Sequence, residues 1–130
     1  MSSSPKSHPT FRSVAPRFVV QDIEQALAFY GQLGFQTTYQ DEGFAIVERD
    51  EVALHLNASA DPPKGHSVCW IDVSNIDDLY QQYLPTNAVQ SPLEAKPWGL
   101  KEFFIRDPFR NLILFAERIP EVDASSEQGG

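Results

Sequence analysis

Trp98 is flanked by Pro97 and Gly99 and precedes the apolar run Phe103-Phe104-Ile105, which stops at Arg106-Asp107-Pro108. An indole held on a loop offers flat contact: aromatic faces stack on planar groups and attract cations. It can equally cap an edge of the core. Gly99 favours the first role, because a residue without Cβ lets backbone come close to a ligand.

Side chains suited to covalent or metal chemistry are sparse. The three histidines are His8, His55 and His66. His8 lies in the N-terminal tail, and His66 sits beside Gly65 at a strand start. His55 alternates with Leu54 and Leu56, so it faces the same side as Ala53. One histidine does not make a metal site, and a hydrogen-bonded or solvated strand histidine is its plain reading. Cys69 is the only cysteine and lies within Val68-Cys69-Trp70-Ile71, where it reads as a small buried hydrophobe. It allows no intrachain disulfide, which fits a reducing compartment. The pairs Asp41/Glu42, Asp50/Glu51 and Asp77/Asp78 fall in turns or helix starts, where solvation and capping account for them. No G-x-S-x-G, phosphate-binding loop or Cys–His signature is present.

The formal net charge is −8 over 130 residues. Such a surface repels phosphate, which disfavours nucleic acid and anionic membrane and favours a cationic ligand. The length suits one domain with a real core. MSSSPKSHPTFRS lacks the apolar stretch of a signal peptide, and no apolar run approaches membrane-spanning length. A cytoplasmic protein with no membrane contact is expected.

Residues 1–12 are rich in Ser and Pro and residues 119–130 end in EVDASSEQGG, so both read as tails around a single domain at 13–118. Val14 to Val20 predicts a strand. Asp22 can cap a helix that runs to about Leu33 and stops at Gly34. Strands follow near 36–41, 44–49 and 52–57. The pattern then restarts: a strand over Ser67 to Val73, a helix over Ile76 to Tyr83 with Asn75 as cap, and strands near 89–93, 101–106 and 112–118. Val20-x-Asp22-Ile23 with Tyr30 matches Val73-x-Asn75-Ile76 with Tyr83 at one constant offset. Arg49-Asp50 and Arg106-Asp107 fill matching turns. The chain therefore divides into two βαβββ modules, about 13–57 and 67–118, an α+β fold with curled mixed sheet around a cleft. Strand alternation points His55 and Asn57, and Trp70 and Asp72, toward that cleft. An exposed strand face is an equal reading of Asp72.

APRFVVQDIEQALAFYGQLGF, SVCWIDVSNIDDLYQQY and KPWGLKEFFIRDPFRNLILFAE resemble the bleomycin resistance proteins of the glyoxalase/dioxygenase group, the vicinal oxygen chelate superfamily. The resemblance covers about residues 13–118. It implies a domain-swapped homodimer that exchanges its N-terminal strand through Ala15-Pro16 and shares a groove between subunits. The enzymes of the group place metal ligands at positions that align with Ala15, Ala53, Val68 and Leu114. None of these four side chains can ligate an ion, so a non-catalytic protein with no metal and no cofactor is expected.

The family's function would be sequestration of bleomycin-type antibiotics, which carry a planar bithiazole and a cationic tail, giving resistance. The residues matching its aromatic clamp are Phe44 and Trp98, with Gly99 beside the latter. Trp70 matches a cavity aromatic. A core strand position is the plain reading of Phe44. Two rival functions remain: a same-fold binder of another small aromatic ligand, and a metal-dependent lyase or dioxygenase. One further departure concerns the last turn, where the family has Gly and this chain has Arg110 before Asn111. A side chain there resists positive φ, so a turn of different shape is expected.

Overall fold

The computed structural model describes residues 8–61, 65 and 67–120. The elements, in chain order, are β1 (Arg17–Val20), α1 (Ile23–Gln32), β2 (Gln36–Gln40), β3 (Phe44–Arg49) and β4 (Val52–Ala58), followed by β5 (Ser67–Asp72), α2 (Ile76–Tyr83), a 3-10 turn (Leu84–Thr86), β6 (Glu94–Ala95), β7 (Leu100–Arg106) and β8 (Asn111–Arg118). They form two four-stranded mixed sheets of the same topology, β1-β4-β3-β2 and β5-β8-β7-β6. In each, the first strand pairs in parallel with the last, and the remaining neighbours run antiparallel. This is the βαβββ repeat read from the sequence.

Helix α1 starts where Asp22 accepts a hydrogen bond from the Gln25 amide at 3.0 Å. It ends in a closed loop: Gly34 N–H donates to Gly31 and Phe35 N–H to Tyr30, both at 3.0 Å. Gly34 has φ +93°, and Phe35 packs edge-on against Tyr30 at 5.8 Å between ring centres. Hydrogen bonds and hydrophobic contact together make the standard left-handed helix stop.

Helix α2 begins differently from expectation. Asn75 lies in the left-handed region at φ 60° and caps nothing with its side chain. Instead the Glu117 carboxylate, from β8, accepts the amides of Asn75 and Ile76 at 3.0 and 2.9 Å. A carboxylate at a helix N-terminus also meets the positive end of the helix dipole.

Two more sequence expectations are corrected. The first strand begins at Arg17 rather than Val14. The run 89–93 is not a strand: Val89 makes an isolated bridge to Ile105, the Phe104 amide turns to the Ser91 hydroxyl, and pairing resumes only at β6. Pro92 has no N–H to continue the ladder.

Both helices lie on one side of their sheets. Phe18, Val20, Ala45, Val47, Leu54 and Leu56 face α1, while Phe103, Ile105, Ile113 and Phe115 face α2, and all belong to one buried core. The modules are tied by matching tyrosines. Tyr30 donates to Asp107 at 2.8 Å, and Tyr83 donates to the Leu33 carbonyl at 2.6 Å. Arg49 also reaches the Leu33 carbonyl, at 2.8 Å, and the Tyr83 hydroxyl, at 2.9 Å. Burial, then the neighbouring Asp107, raises the Tyr30 hydroxyl well above its ordinary range and keeps it a donor. Asp107 is itself buried and also accepts from the amides of Phe109 and Asn111 and from the Asn111 side chain. The same Asn111 side chain holds the Val19 carbonyl of β1 at 3.0 Å.

Candidate functional site

The side of each sheet turned away from its helix is open. On the first sheet this face is set by register: Phe44 opposite Asn57, Ile46 opposite His55, and Arg17 and Val19 beside His55 and Asn57. Phe44 is half-buried and its neighbours Ala45 and Val47 point into the core, so Phe44 is not a core residue. His55 meets the Phe44 ring edge-on at 5.4 Å, and Tyr39 lies 6.1 Å away. The Arg17 guanidinium stands 5.3 Å from the centre of the Phe44 ring, a cation–π contact. Asp41 holds the adjoining hairpin by accepting from Tyr39 Oη at 2.7 Å and the Gly43 amide at 2.9 Å. The Tyr39 bond, first, keeps the Asp41 carboxyl below its usual range.

The open face of the second sheet carries Val68, Trp70 and Asp72 from β5, Leu112 and Leu114 from β8, and Glu102 and Phe104 from β7. Trp70 is 53% exposed. Trp70 and Asp72 line a groove of about 390 Å³ with Val14, Pro16 and Ala53. A second cavity of about 300 Å³ lies at the module joint between Phe35, Arg49, Asp50 and Tyr83, away from both Phe44 and Trp98.

Trp98 sits in the hairpin between β6 and β7. The Gly99 amide donates to Lys96 at 3.0 Å, the Lys96 amide donates to Leu100 at 2.7 Å, and Gly99 has φ +92°. This is a tight turn with Pro at its second position and a left-handed fourth residue. Gly99 is therefore required by backbone conformation. A Cβ there would meet no atom of the chain within 4 Å, so within the chain it is the backbone conformation, not crowding, that asks for glycine. The turn presents the indole 65% exposed, with its Nε1–H donated to Glu102 Oε2 at 2.9 Å. Trp98 leaves its rings outside and only an edge fixed, which is not how a core cap sits.

Asp107-Pro108-Phe109-Arg110-Asn111 repeats this turn. Arg110 N–H donates to Asp107 at 3.2 Å, Asp107 N–H donates to Asn111 at 2.9 Å, and Arg110 has φ +76°. The expected change of shape is thus corrected: Arg110 adopts the left-handed conformation despite its side chain. The buried Asp107 hydrogen bonds hold it there.

Phe44, His55 and Asn57 come together on one sheet, and Trp98, Gly99, Trp70 and Asp72 belong to the other. Among the described residues no ring contact joins Phe44 to Trp98 within the chain. The sequence reading gives no role to Glu102, Tyr39 or Arg17. For Glu102 the available signal is a carboxylate inside an apolar strand run.

The positions aligned with metal ligands do not suit a metal. Ala15 precedes β1, Ala53 and Leu114 sit half-buried on β4 and β8, and Val68 is exposed on β5. Aliphatic side chains offer no lone pairs, and among the described residues no three His, Cys, Asp or Glu are grouped to hold an ion. His66 lies outside the described residues. Cys69 is half-buried, and burial raises its thiol.

Comparison with known proteins agrees with the fold. The sequence profile of the Glyoxalase/Bleomycin resistance protein/Dioxygenase superfamily matches residues 11–115. A bleomycin resistance protein of Geobacillus stearothermophilus is 31% identical over 125 residues, covering 80% of this chain and 95% of the relative. Among solved structures, a bleomycin resistance determinant encoded on the transposon Tn5 superposes with TM-score 0.75 at 21% identity, covering 83% of this chain and 98% of that one. The bleomycin-binding protein of Streptomyces verticillus, complexed with copper(II)-bleomycin, superposes with TM-score 0.70 at 25% identity, covering 83% and 97%. Among the described residues no helix is long and apolar enough to cross a membrane. Paired βαβββ modules, the Pro-Trp-Gly hairpin and these matches give one conclusion: the chain belongs to the Glyoxalase/Bleomycin resistance protein/Dioxygenase superfamily.

Proposed function

We propose that this chain binds and sequesters a bleomycin-type antibiotic, without chemical turnover, and so confers resistance. The observation that carries the reading is Trp98, an indole 65% exposed on a rigid hairpin with only its N–H edge tied down. Such a ring has a free face for a planar heterocycle, and each aromatic stack contributes roughly 0.5–1.5 kcal/mol beyond area burial. Phe44 supplies the opposing face. Because the two rings stand on different sheets, a homodimer brings them together, the Phe44 face of one subunit against the Trp98 face of its partner. Exposed Val68 and Trp70 give that face apolar area to bury. Trp70, Asp72, His55 and Asn57 line the shared groove, and residues 13–118 form the binding unit. The net charge of −8 draws in a cationic drug. Aliphatic residues at all four ligand positions support binding without metal chemistry.

Calorimetric titration with bleomycin, a neutral planar antibiotic and a cationic non-planar one tests this reading. Tight binding of bleomycin alone is the expected result. Equal or tighter binding of the neutral planar compound would shift the function to another aromatic ligand.

A further inference from the structure

A ring with little cover loses rotational freedom when a ligand stacks on it, and that ordering costs affinity. Glu102 removes much of the freedom in advance. It lies on β7, opposite Glu94 and Ala116 in register, and is only 9% exposed. Its Oε2 accepts the indole N–H of Trp98 at 2.9 Å. Among the described residues its Oε1 has no hydrogen-bond partner, and Lys96 in the same hairpin is bonded to Glu94 at 2.9 Å instead. That oxygen is not a buried unpaired atom, and the Lys96 ammonium stands near enough to feel the carboxylate's charge, so Oε1 is open to a positive or donor group that a ligand brings. The free oxygen belongs to the same side chain that fixes the indole, on the sheet face where the ring stands.

We infer that Glu102 is the positioning and charge-selecting residue of the Trp98 platform. One oxygen locks the indole plane, and the other receives a positively charged group of the ligand stacked on that plane. The carboxylate also enriches the indole's electron density through the N–H bond, which favours cationic partners further. This rests on the stacking role proposed for Trp98.

The test uses the full chain, ¹⁵N-labelled, with Glu102→Gln and Glu102→Leu. The probes are bleomycin and a neutral bithiazole amide. The Trp98 indole resonance, assigned by its loss in Trp98→Phe, needs no ligand. In Glu102→Gln the amide oxygen still accepts the indole N–H, so the resonance stays near its original position. Bleomycin affinity should nevertheless fall about 5-fold, the difference between a charged and a neutral acceptor, while the neutral probe is unaffected. In Glu102→Leu the resonance should shift and exchange faster with water, and both probes should weaken. An unmoved indole resonance in Glu102→Leu overturns the anchor. Unchanged bleomycin affinity in Glu102→Gln overturns charge selection. If the unmodified chain binds no bleomycin, the proposed function and charge selection both fail, and the resonance alone decides the anchor.

Discussion

At the scale of single residues, the site is built from side chains whose neighbours point the other way. Phe44 alternates with Ala45, which is fully buried, so its ring belongs to the open face. Replacing Phe44 with Leu separates stacking from packing. Affinity for bleomycin is expected to drop about 3- to 10-fold while the melting temperature stays within a degree or so. A large thermal loss with intact affinity would return Phe44 to the core. Arg110 carries the opposite kind of signal. A non-glycine residue at φ +76° is strained by about 1 kcal/mol. Arg110→Gly is expected to raise stability by about 0.5–1 kcal/mol in chemical denaturation, with the gain reduced by the greater freedom of Gly in the unfolded chain. Lower stability in that variant would mean that the side chain makes a compensating contact.

At the scale of elements, the sequence was legible where the signal is local and silent where it is tertiary. Asp22, Gly34 and the β3–β4 pairing follow from capping chemistry and alternation over neighbouring residues. Asn75 has the same local signal as Asp22, yet its helix is capped by Glu117, 42 residues further along the chain. No short-range rule finds that partner. The same limit hid Glu102 as the Trp98 anchor, although the two stand in one hairpin: spacing gives proximity, but only the turn geometry aims the indole. The sequence could not separate two demands at Gly99, because a turn's left-handed residue and a ligand's close approach ask for the same amino acid, and the fold displays the first. Glu117→Ala should remove the two hydrogen bonds that the Asn75 and Ile76 amides donate at the start of α2 and cost about 1–2 kcal/mol, lowering the melting temperature by roughly 3–8 °C. Glu117→Gln should lose less, since it keeps one good acceptor. An unaltered melting temperature in Glu117→Ala would show that water satisfies those amides equally well.

At the scale of the whole molecule, the two modules share one core and one polar joint, while their open faces do not meet through Phe44 and Trp98. The repeat was readable from matched residues, and the joint explains why those residues match: Tyr30 and Tyr83 each reach into the other module. Strand β1 pairs with β4 of its own chain, and exchange would place the same strand on the same register of a partner. Sedimentation at micromolar concentration is expected to show a dimer. Val68→Asp, on an exposed position of the second open face, should push it toward monomer and weaken bleomycin binding together. A monomer that keeps full affinity would end the shared-groove account.

The central claim is that an exposed, anchored indole binds the drug's planar part. Its most direct test is calorimetric titration of the chain and of Trp98→Ala with bleomycin, alongside their melting temperatures. The account predicts one drug per chain for the parent. It predicts an affinity loss of roughly 5- to 150-fold, or about 1–3 kcal/mol, for Trp98→Ala, with little change in melting temperature. Unchanged affinity combined with a clear loss of thermal stability would contradict it and make Trp98 a cover for the core.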